Sequence, residues 1–326
     1  MSVRRVAVVL ISHNSADLLP ESLASLRDGG ADGVDLTDVV VVDNASDDAS
    51  AELAKTFEGL PVSVVQLIEN VGYAAGFNAG VAALRSRAPD AVMVLNPDCR
   101  LGPGALATMA QALDAPGRGI VSPLLLNPDG TLQPSLRRVP SVAGGFVEAL
   151  LGGHAADRLG LGELVFADAP HARPGPVPWA TGAALLMAWP VLDSVGPWDE
   201  SFLLYSEETE FLLRAADHGW STWYEPAAVI EHTGGESGVR PELAALLTVN
   251  RVRLFRKRHG AGRTWFYHAA LVLGMSLRAA GGQRTARASL AALLVPSRRI
   301  TSLSQLTDPQ KGAGGSRARE GRAGAV

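Results

Sequence analysis

The chain has 326 residues, 47% of them hydrophobic, and a formal charge of −4. That is enough apolar material for one large α/β domain with an appendage, or for two domains at about 100–200 residues each. The mild acidity excludes nucleic acid as a partner on charge, and a single cysteine, Cys99, excludes an internal disulfide and fits a reducing cytoplasm.

The first strand is expected over the apolar run 6–11, which reads as buried on both faces. The basic-then-apolar stretch 3–11 does not make a signal peptide, because His13 and Asn14 interrupt it without a small-residue cleavage site. A helix over 16–26 follows, with Leu18, Leu19, Leu23 and Leu26 on one stripe. Strand 39–42 precedes a helix over 46–57, capped by Ser46 with Asp47 and Asp48 in its first turn. Strand 62–67, a helix over 76–86 and strand 91–95 complete the alternation. Such alternation predicts an α/β fold with a mostly parallel sheet flanked by helices. Ligands of these sheets bind at the carboxyl ends of the strands, which collects Ser12, His13, Asp43, Asn44 and Asp98 on one rim.

Beyond residue 126 the alternation stops. Residues 127–178 read as an irregular insertion, with a turn at 127–130 (NPDG) and a Pro-rich end at 171–178. Regular structure is expected again over 181–189, then in a helix after Pro190. Residues 242–294 read as helical and basic, and 299–326, rich in Gly, Ser and Arg, as a disordered tail. No stretch reaches the roughly 20 apolar residues of a spanning helix. A soluble or peripheral protein is therefore expected, cytoplasmic or at the inner face of the membrane.

Five groups of residues carry chemistry. Asp43 ends a strand and is followed by Asn44; its carboxylate reads either as an acceptor for a base or ribose or as a turn aspartate bonding its own backbone. In 69–80 (ENVGYAAGFNAG) the small residues explain close helix packing, and Asn70 and Asn78 are left over as possible amide contacts. Asp98, following Asn96 and Pro97 on the rim, suits a hard divalent cation shared with substrate phosphates, or a turn like the second Asn-Pro-Asp at 127–129. In 203–220, Ser206 reads as a cap and Glu207, Glu208 and Glu210 as first-turn carboxylates; one of them could serve as a general base. His232, before two glycines, reads as a metal ligand or a packing residue. Cys99 reads as a small buried hydrophobe rather than a nucleophile.

Together these segments resemble the family-2 inverting glycosyltransferases. The motifs are ISHNSADLLPESLASL, VVVVDNASDD, NVGYAAGFNAG, VLNPD, ATGAALLM, WDESFLLYSEETEFLLRA and GW…EPAAVIEHTGG, across about residues 3–240. The nearest branch is similar to bacterial rhamnosyltransferases, in which Asn-Pro-Asp replaces Asp-x-Asp. The resemblance implies the GT-A type nucleotide-diphospho-sugar transferase fold, with a catalytic domain over 1–240 and a C-terminal helical extension over 241–298. It implies a nucleotide-diphospho-sugar donor, dTDP-rhamnose by analogy, bound by Ser12, Asn14, Asp43, Asn44, Asn70, Gly72, Asn78 and Asn96. It implies Mn2+ or Mg2+ at Asp98 and His232, and an acceptor wall of Trp179, Thr181, Gly182 and Ala183. Glu207 and Glu208 match the catalytic pair, with the second as the usual base. A glycan or lipid-linked acceptor is implied, serving cell-wall, polysaccharide or glycolipid synthesis.

The basic run Arg251, Arg253, Arg256, Lys257, Arg258 and Arg263, followed by Trp265, Phe266 and Tyr267, suits an anionic membrane surface, or a helix packed on the catalytic domain. Two rivals remain. A sugar-phosphate nucleotidyltransferase would need a glycine-rich basic loop after the first strand, where this chain has SHNSADLL. A non-catalytic nucleotide-sugar-binding protein would share the fold.

Overall fold

The computed structural model describes residues 4–234 and 240–306. In chain order the elements are β1 (Arg5–Ser12), α1 (Leu19–Ser25), β2 (Asp35–Asp43), α2 (Ser50–Lys55), β3 (Val62–Gln66), α3 (Tyr73–Leu84), β4 (Ala91–Leu95), β5 (Cys99–Leu101), α4 (Ala105–Ala112) and β6 (Arg118–Leu126). There follow β7 (Leu136–Arg137), α5 (Val142–Leu151), α6 (Gly153–Arg158), α7 (Asp168–His171), β8 (Gly175–Val177), β9 (Trp179–Ala180), β10 (Ala184–Ala188), α8 (Trp189–Val195), α9 (Glu207–Asp217) and β11 (Ser221–His232). The described chain closes with α10 (Pro241–Arg258), α11 (Ala261–Ala280) and α12 (Arg284–Leu294).

The main sheet runs β3-β2-β1-β4-β10-β6-β11-β5, with β8 beside β11. The strands read from the alternating half, β3, β2, β1 and β4, are parallel to one another. Beyond them the expected parallel pattern gives way: β10 is antiparallel to both β4 and β6, and β5 and β8 are antiparallel to β11. β1 and β4 lie between neighbours and are buried almost throughout, as their unbroken Val-rich runs require. Helix α3 packs against this sheet through glycine. A Cβ on Gly80 would sit 2.3 Å from Val9 Cγ1, and one on Gly76 would sit 3.0 Å from Ile11 Cγ2.

Several element boundaries differ from expectation for local reasons. α2 begins at Ser50 rather than Ser46, because Asp48 accepts from the Ser50 amide and from the Ala16 amide and thereby fastens the two loops together. Ser46 instead accepts from the Asn14 amide. Ser206 precedes α9 without a side-chain cap, since its φ of 74° turns the chain left-handed there. Of the regular structure expected over 181–189, β10 forms and enters the main sheet, while β9, just before that range, pairs with β7 in a separate two-stranded sheet.

The stretch 127–178 is not irregular but holds three helices and two short strands. Its Gly144-Gly145 pair reads as a breaker in sequence. In the fold it is a contact surface: a Cβ on Gly145 would lie 3.2 Å from Ala270 Cβ, so α11 packs closely on α5. The helical extension is also tied to the rest of the chain. Arg251 pairs with Glu163 at 2.6 Å and Glu148 at 3.2 Å, Arg258 with Asp217 at 2.9 Å, and Lys257 with Asp199. Tyr267 is fully buried and stacks on Phe255, whereas Trp265 and Phe266 are 64% and 52% exposed, so the aromatic run divides between core and surface. Among the described residues no helix is long and apolar enough to cross a membrane. Of the expected tail, 299–306 includes a short 3-10 turn at Leu303–Gln305, and 307–326 lies outside the described residues.

Candidate active site

The site lies on the carboxyl rim of β1, β2 and β4. Ser12 and Asp43 are register partners at the ends of β1 and β2, and both are buried. Ser12 Oγ and Asp43 Oδ1 have no partner among the described residues. Leaving a buried polar atom unpaired costs about 1–3 kcal/mol, and two side by side form a place for a ligand to bond. Most of the neighbouring amides have other work. Asn44 Nδ2 donates to Asn70 Oδ1 and the Gly72 carbonyl, and its Oδ1 accepts from the Val71 amide, so it clamps the 70–72 loop to β2. Asn14, at φ 50°, accepts from the Asp47 amide and orders the facing loop. Gly72 (φ 95°) is required by space as well as by conformation: a Cβ would fall 2.2 Å from the Leu203 carbonyl oxygen. Asn78 faces elsewhere, donating to the Trp198 carbonyl and to Glu200 while accepting from the Trp198 amide. Both its amide hydrogens are engaged in fastening α3 to that segment.

Asp98 follows β4, and His232 ends β11. His232 Nε2 lies 3.4 Å from Asp98 Oδ2. The Gln133 amide group donates to Asn127 Oδ1 and the His232 carbonyl, so its oxygen faces His232 Nδ1, 2.5 Å away. That assigns the proton to Nδ1 and leaves a lone pair on Nε2, the second-sphere arrangement that orients histidine ligands. A lone pair and a carboxylate oxygen then face each other, and a proton or a cation must sit between them. Asp98 Oδ1 is buried and has no partner among the described residues. Burial works to raise the Asp98 carboxyl, but a proton shared with His232 Nε2 and a hydrogen bond from the Gly234 amide outweigh it and hold the group below its ordinary value. These two residues fit a divalent cation that keeps open positions for substrate oxygens. Cys99 is close enough to complete a three-residue cluster, but burial keeps its thiol protonated and its Sγ faces the Ala183 carbonyl. It belongs to the core.

Across the rim stand Glu207 and Glu208, at the start of α9. Glu207 is 3% exposed, with Oε2 unpartnered, whereas Glu208 is half-buried and reaches solvent. Burial, then the charge of Glu208, pushes the Glu207 carboxyl well above its ordinary value. Burial also raises Glu208, with the Arg137 guanidinium working in the opposite direction. Two adjacent carboxyls with values held high are a common device for keeping one neutral and one basic. The loop leading into them is conformationally demanding, since Leu203, Tyr205 and Ser206 have φ of 56°, 71° and 74°. Asn250, buried on α10, holds it by donating to the carbonyls of Phe202, Leu204 and Tyr205 at 2.8, 2.9 and 3.0 Å. The opposite wall is close: a Cβ on Gly182 would lie 3.0 Å from Glu208 Cβ. Thr181 is anchored by its amide to the Ser135 carbonyl, the Ala183 carbonyl accepts from the Asn96 amide, and Trp179 is buried with Nε1 donating to the Arg138 carbonyl.

Tyr73 joins the two halves. Its hydroxyl lies 2.8 Å from Asn96 Oδ1 and 3.2 Å from the Gly182 carbonyl, and Asn96 Nδ2 lies 3.5 Å from His232 Nε2. Burial and the surrounding groups, Cys99, Glu207, Glu208 and Asp98, raise its phenol well above the ordinary value, so it stays a donor. The sequence reading missed Tyr73, Gln133, Arg137 and Asn250. None sits in a motif whose spacing announces chemistry, although Tyr73 follows directly on the Gly72 that was singled out.

Residues 7–143 match the family described as Glycosyl transferase family 2. The N-acetylglucosaminyl-diphospho-decaprenol L-rhamnosyltransferase of Mycobacterium tuberculosis is 29% identical in an alignment of 306 residues that covers 86% of this chain and 94% of the relative. The low-salt glycan biosynthesis hexosyltransferase Agl10 of Haloferax volcanii is 26% identical over 55% of this chain and 53% of its own. Among solved structures, a mannosyltransferase from Pyrobaculum calidifontis in complex with GDP-Man and Mn2+ superposes with a TM-score of 0.57 at 19% identity, over 98% of this chain and 80% of that one. GalNAc-T7 with UDP, GalNAc and Mn2+ gives 0.61 at 14% identity over 83% of this chain, which spans only 51% of that structure. The structural likenesses establish the GT-A type fold. This chain is a glycosyltransferase, and its residues 7–143 form a glycosyl transferase family 2 domain.

Proposed function

We propose that the enzyme transfers a sugar from a nucleoside-diphosphate donor, with dTDP-rhamnose fitting best, to a hydroxyl of an acceptor carried on a lipid diphosphate. The rhamnosyl group and the lipid-diphosphate acceptor follow the named activity of the mycobacterial relative, which this chain matches over most of its length, and dTDP follows the resemblance of the sequence to bacterial rhamnosyltransferases. The observation that carries the reading is the arrangement of the rim. Asp98 and His232 face each other with an unpartnered Asp98 oxygen, and a solvent-reaching Glu208 stands across Tyr73 and Gly182.

In this reading Ser12 and Asp43 bond the nucleoside, with the 70–72 loop shaped around it by Asn44. Asp98 and His232 hold Mn2+ or Mg2+. A divalent cation there supplies Lewis-acid neutralisation of the charge on the departing diphosphate. Glu208 accepts the proton of the acceptor hydroxyl as that oxygen attacks the anomeric carbon from the face opposite the diphosphate, which inverts the configuration in one displacement. Glu207, buried and held neutral, lends Glu208 no second negative charge. Trp179, Thr181, Gly182 and Ala183 line the acceptor side. The domain division at about residue 240 belongs to the same proposal, with α10 supporting the catalytic loop through Asn250.

The exposed Trp265 and Phe266 beside Arg263 fit peripheral contact with an anionic membrane at its cytoplasmic face. Vesicle flotation with and without anionic lipid tests that part alone. The main reading is tested by thermal shift with nucleoside diphosphates with and without Mn2+, followed by NMR of the product's anomeric centre. A ligand at 100 times its Kd stabilises by about 2.7 kcal/mol, so a Mn2+-dependent shift and an inverted product are expected. A nucleotidyltransferase would instead require a nucleoside triphosphate, and a non-catalytic binder would give the shift without product. No shift with any diphosphate, or a retained configuration, overturns the proposal.

A further inference from the structure

Arg137 is a half-buried guanidinium at the acceptor wall with donors left over. It lies on β7, in register with Trp179 on β9, and its guanidinium stands 5.7 Å from the centre of the indole ring. Its Nη1 donates to the carbonyls of Pro134 and Leu136 at 2.9 and 3.2 Å. Nε and Nη2 meet no protein acceptor, and no carboxylate lies within ion-pair distance among the described residues. The nearest acidic groups are already engaged or reserved. Glu163 bonds Arg251 at 2.6 Å, and Glu208 feels the Arg137 charge without contacting it. Burial pulls the guanidinium down to about 10, still charged at neutral pH.

The segment that carries Arg137 crosses the site. Gln133 holds His232, the Ser135 carbonyl holds Thr181, and Arg137 ends beside Trp179. At about 3.3 Å per residue, Arg137 is up to roughly 13 Å of chain from the cation-binding end. In the proposed function the donor diphosphate belongs at that end, whereas Arg137 stands on the acceptor wall in register with Trp179. An unpaired guanidinium with Nε and Nη2 free presents the planar fork that takes two oxygens of a phosphate at once, and the buried indole of Trp179 beside it fixes where that fork stands.

We propose that Arg137, backed by the buried Trp179, forms the acceptor-phosphate subsite, in which its Nε and Nη2 grip a phosphate of a diphosphate-linked acceptor while the acceptor's sugar hydroxyl reaches Glu208. This deepens the proposed function and rests on its reading of a diphosphate-linked acceptor.

The test is calorimetric titration of decyl diphosphate and of the neutral decyl glucoside into the full chain and into Arg137→Gln, with and without Mn2+ and a saturating nucleoside diphosphate. The wild type is expected to bind decyl diphosphate at least ten-fold more tightly than R137Q in every condition, while decyl glucoside and nucleoside diphosphate bind both proteins alike. Arg137→Lys, which keeps the charge but not the fork, is expected to recover part of the affinity. Equal affinities for decyl diphosphate, or no binding by the wild type, overturn the subsite. Weakened nucleoside diphosphate binding in R137Q also overturns it, because Arg137 would then serve the donor. Absence of Mn2+-dependent nucleotide binding in the wild type sinks the proposed function instead, and leaves the decyl diphosphate comparison readable.

Discussion

Gly182→Ala isolates the geometry between the acceptor wall and Glu208. The added Cβ would stand 3.0 Å from Glu208 Cβ and 3.1 Å from its Cγ, inside ordinary contact. Gly182 has no positive φ, so the backbone tolerates alanine and the whole effect falls on Glu208. Relief of the overlap needs about 0.5 Å of movement, and overpacking of this kind costs about 1 kcal/mol, the low end of its usual range. For a chain of this size that lowers Tm by about 2 °C. Catalysis should suffer more, because a misplacement of about 1 Å costs around 100-fold, and half of it about ten-fold. Steady-state kinetics with calorimetry of nucleoside diphosphate binding should show kcat down about ten-fold and donor Kd unchanged. An unaltered kcat would refute the claim that Glu208 is the group positioned by this wall.

Three further outcomes follow from the same geometry. Glu207→Gln removes a buried carboxyl whose folded-state pKa is raised. The wild type therefore loses stability as pH rises above the unfolded value near 4.5, and the variant lacks that contribution while keeping the one from Glu208. The variant's Tm advantage should be absent at pH 4 and grow towards pH 8, and a gap that shrinks with rising pH would contradict the burial argument. Asn250→Asp keeps the shape but loses the donors to three loop carbonyls. With each bond worth about 1 kcal/mol, Tm should fall by several degrees and kcat more than donor affinity; unchanged kcat would show that the loop holds itself. Asp98→Asn should abolish the Mn2+ dependence of nucleotide binding seen by thermal shift while leaving metal-free binding in place, and a retained Mn2+ response would locate the cation elsewhere.

The rim was legible wherever one short segment carried both the strand and its terminal residue. The runs leading to Asp43 and Asp98 are of that kind, because a buried parallel strand shows as an apolar run and the rim beyond it as the polar residues that follow, Asp43 directly after β2's valines and Asn96-Pro97-Asp98 after β4. The adjacent carboxyls proposed as the catalytic pair lie inside one motif, although only the fold distinguishes a buried Glu207 from an accessible Glu208. The helices of 127–178 were not legible. Gly144 and Gly145 break a helix by propensity, and only the packing of α11 against them offsets that preference. Gln133, Arg137 and Asn250 were hidden because each acts on a residue far along the chain. Asn78 misled because an amide left over from one packing argument was satisfied by another segment, at Trp198.

The most direct test of the account is Glu208→Gln, assayed for turnover and for nucleoside diphosphate binding with Mn2+. A positioned general base contributes about 100- to 10,000-fold, so turnover should fall by that factor with the binding constant unaltered. Wild-type turnover in this variant would contradict the account.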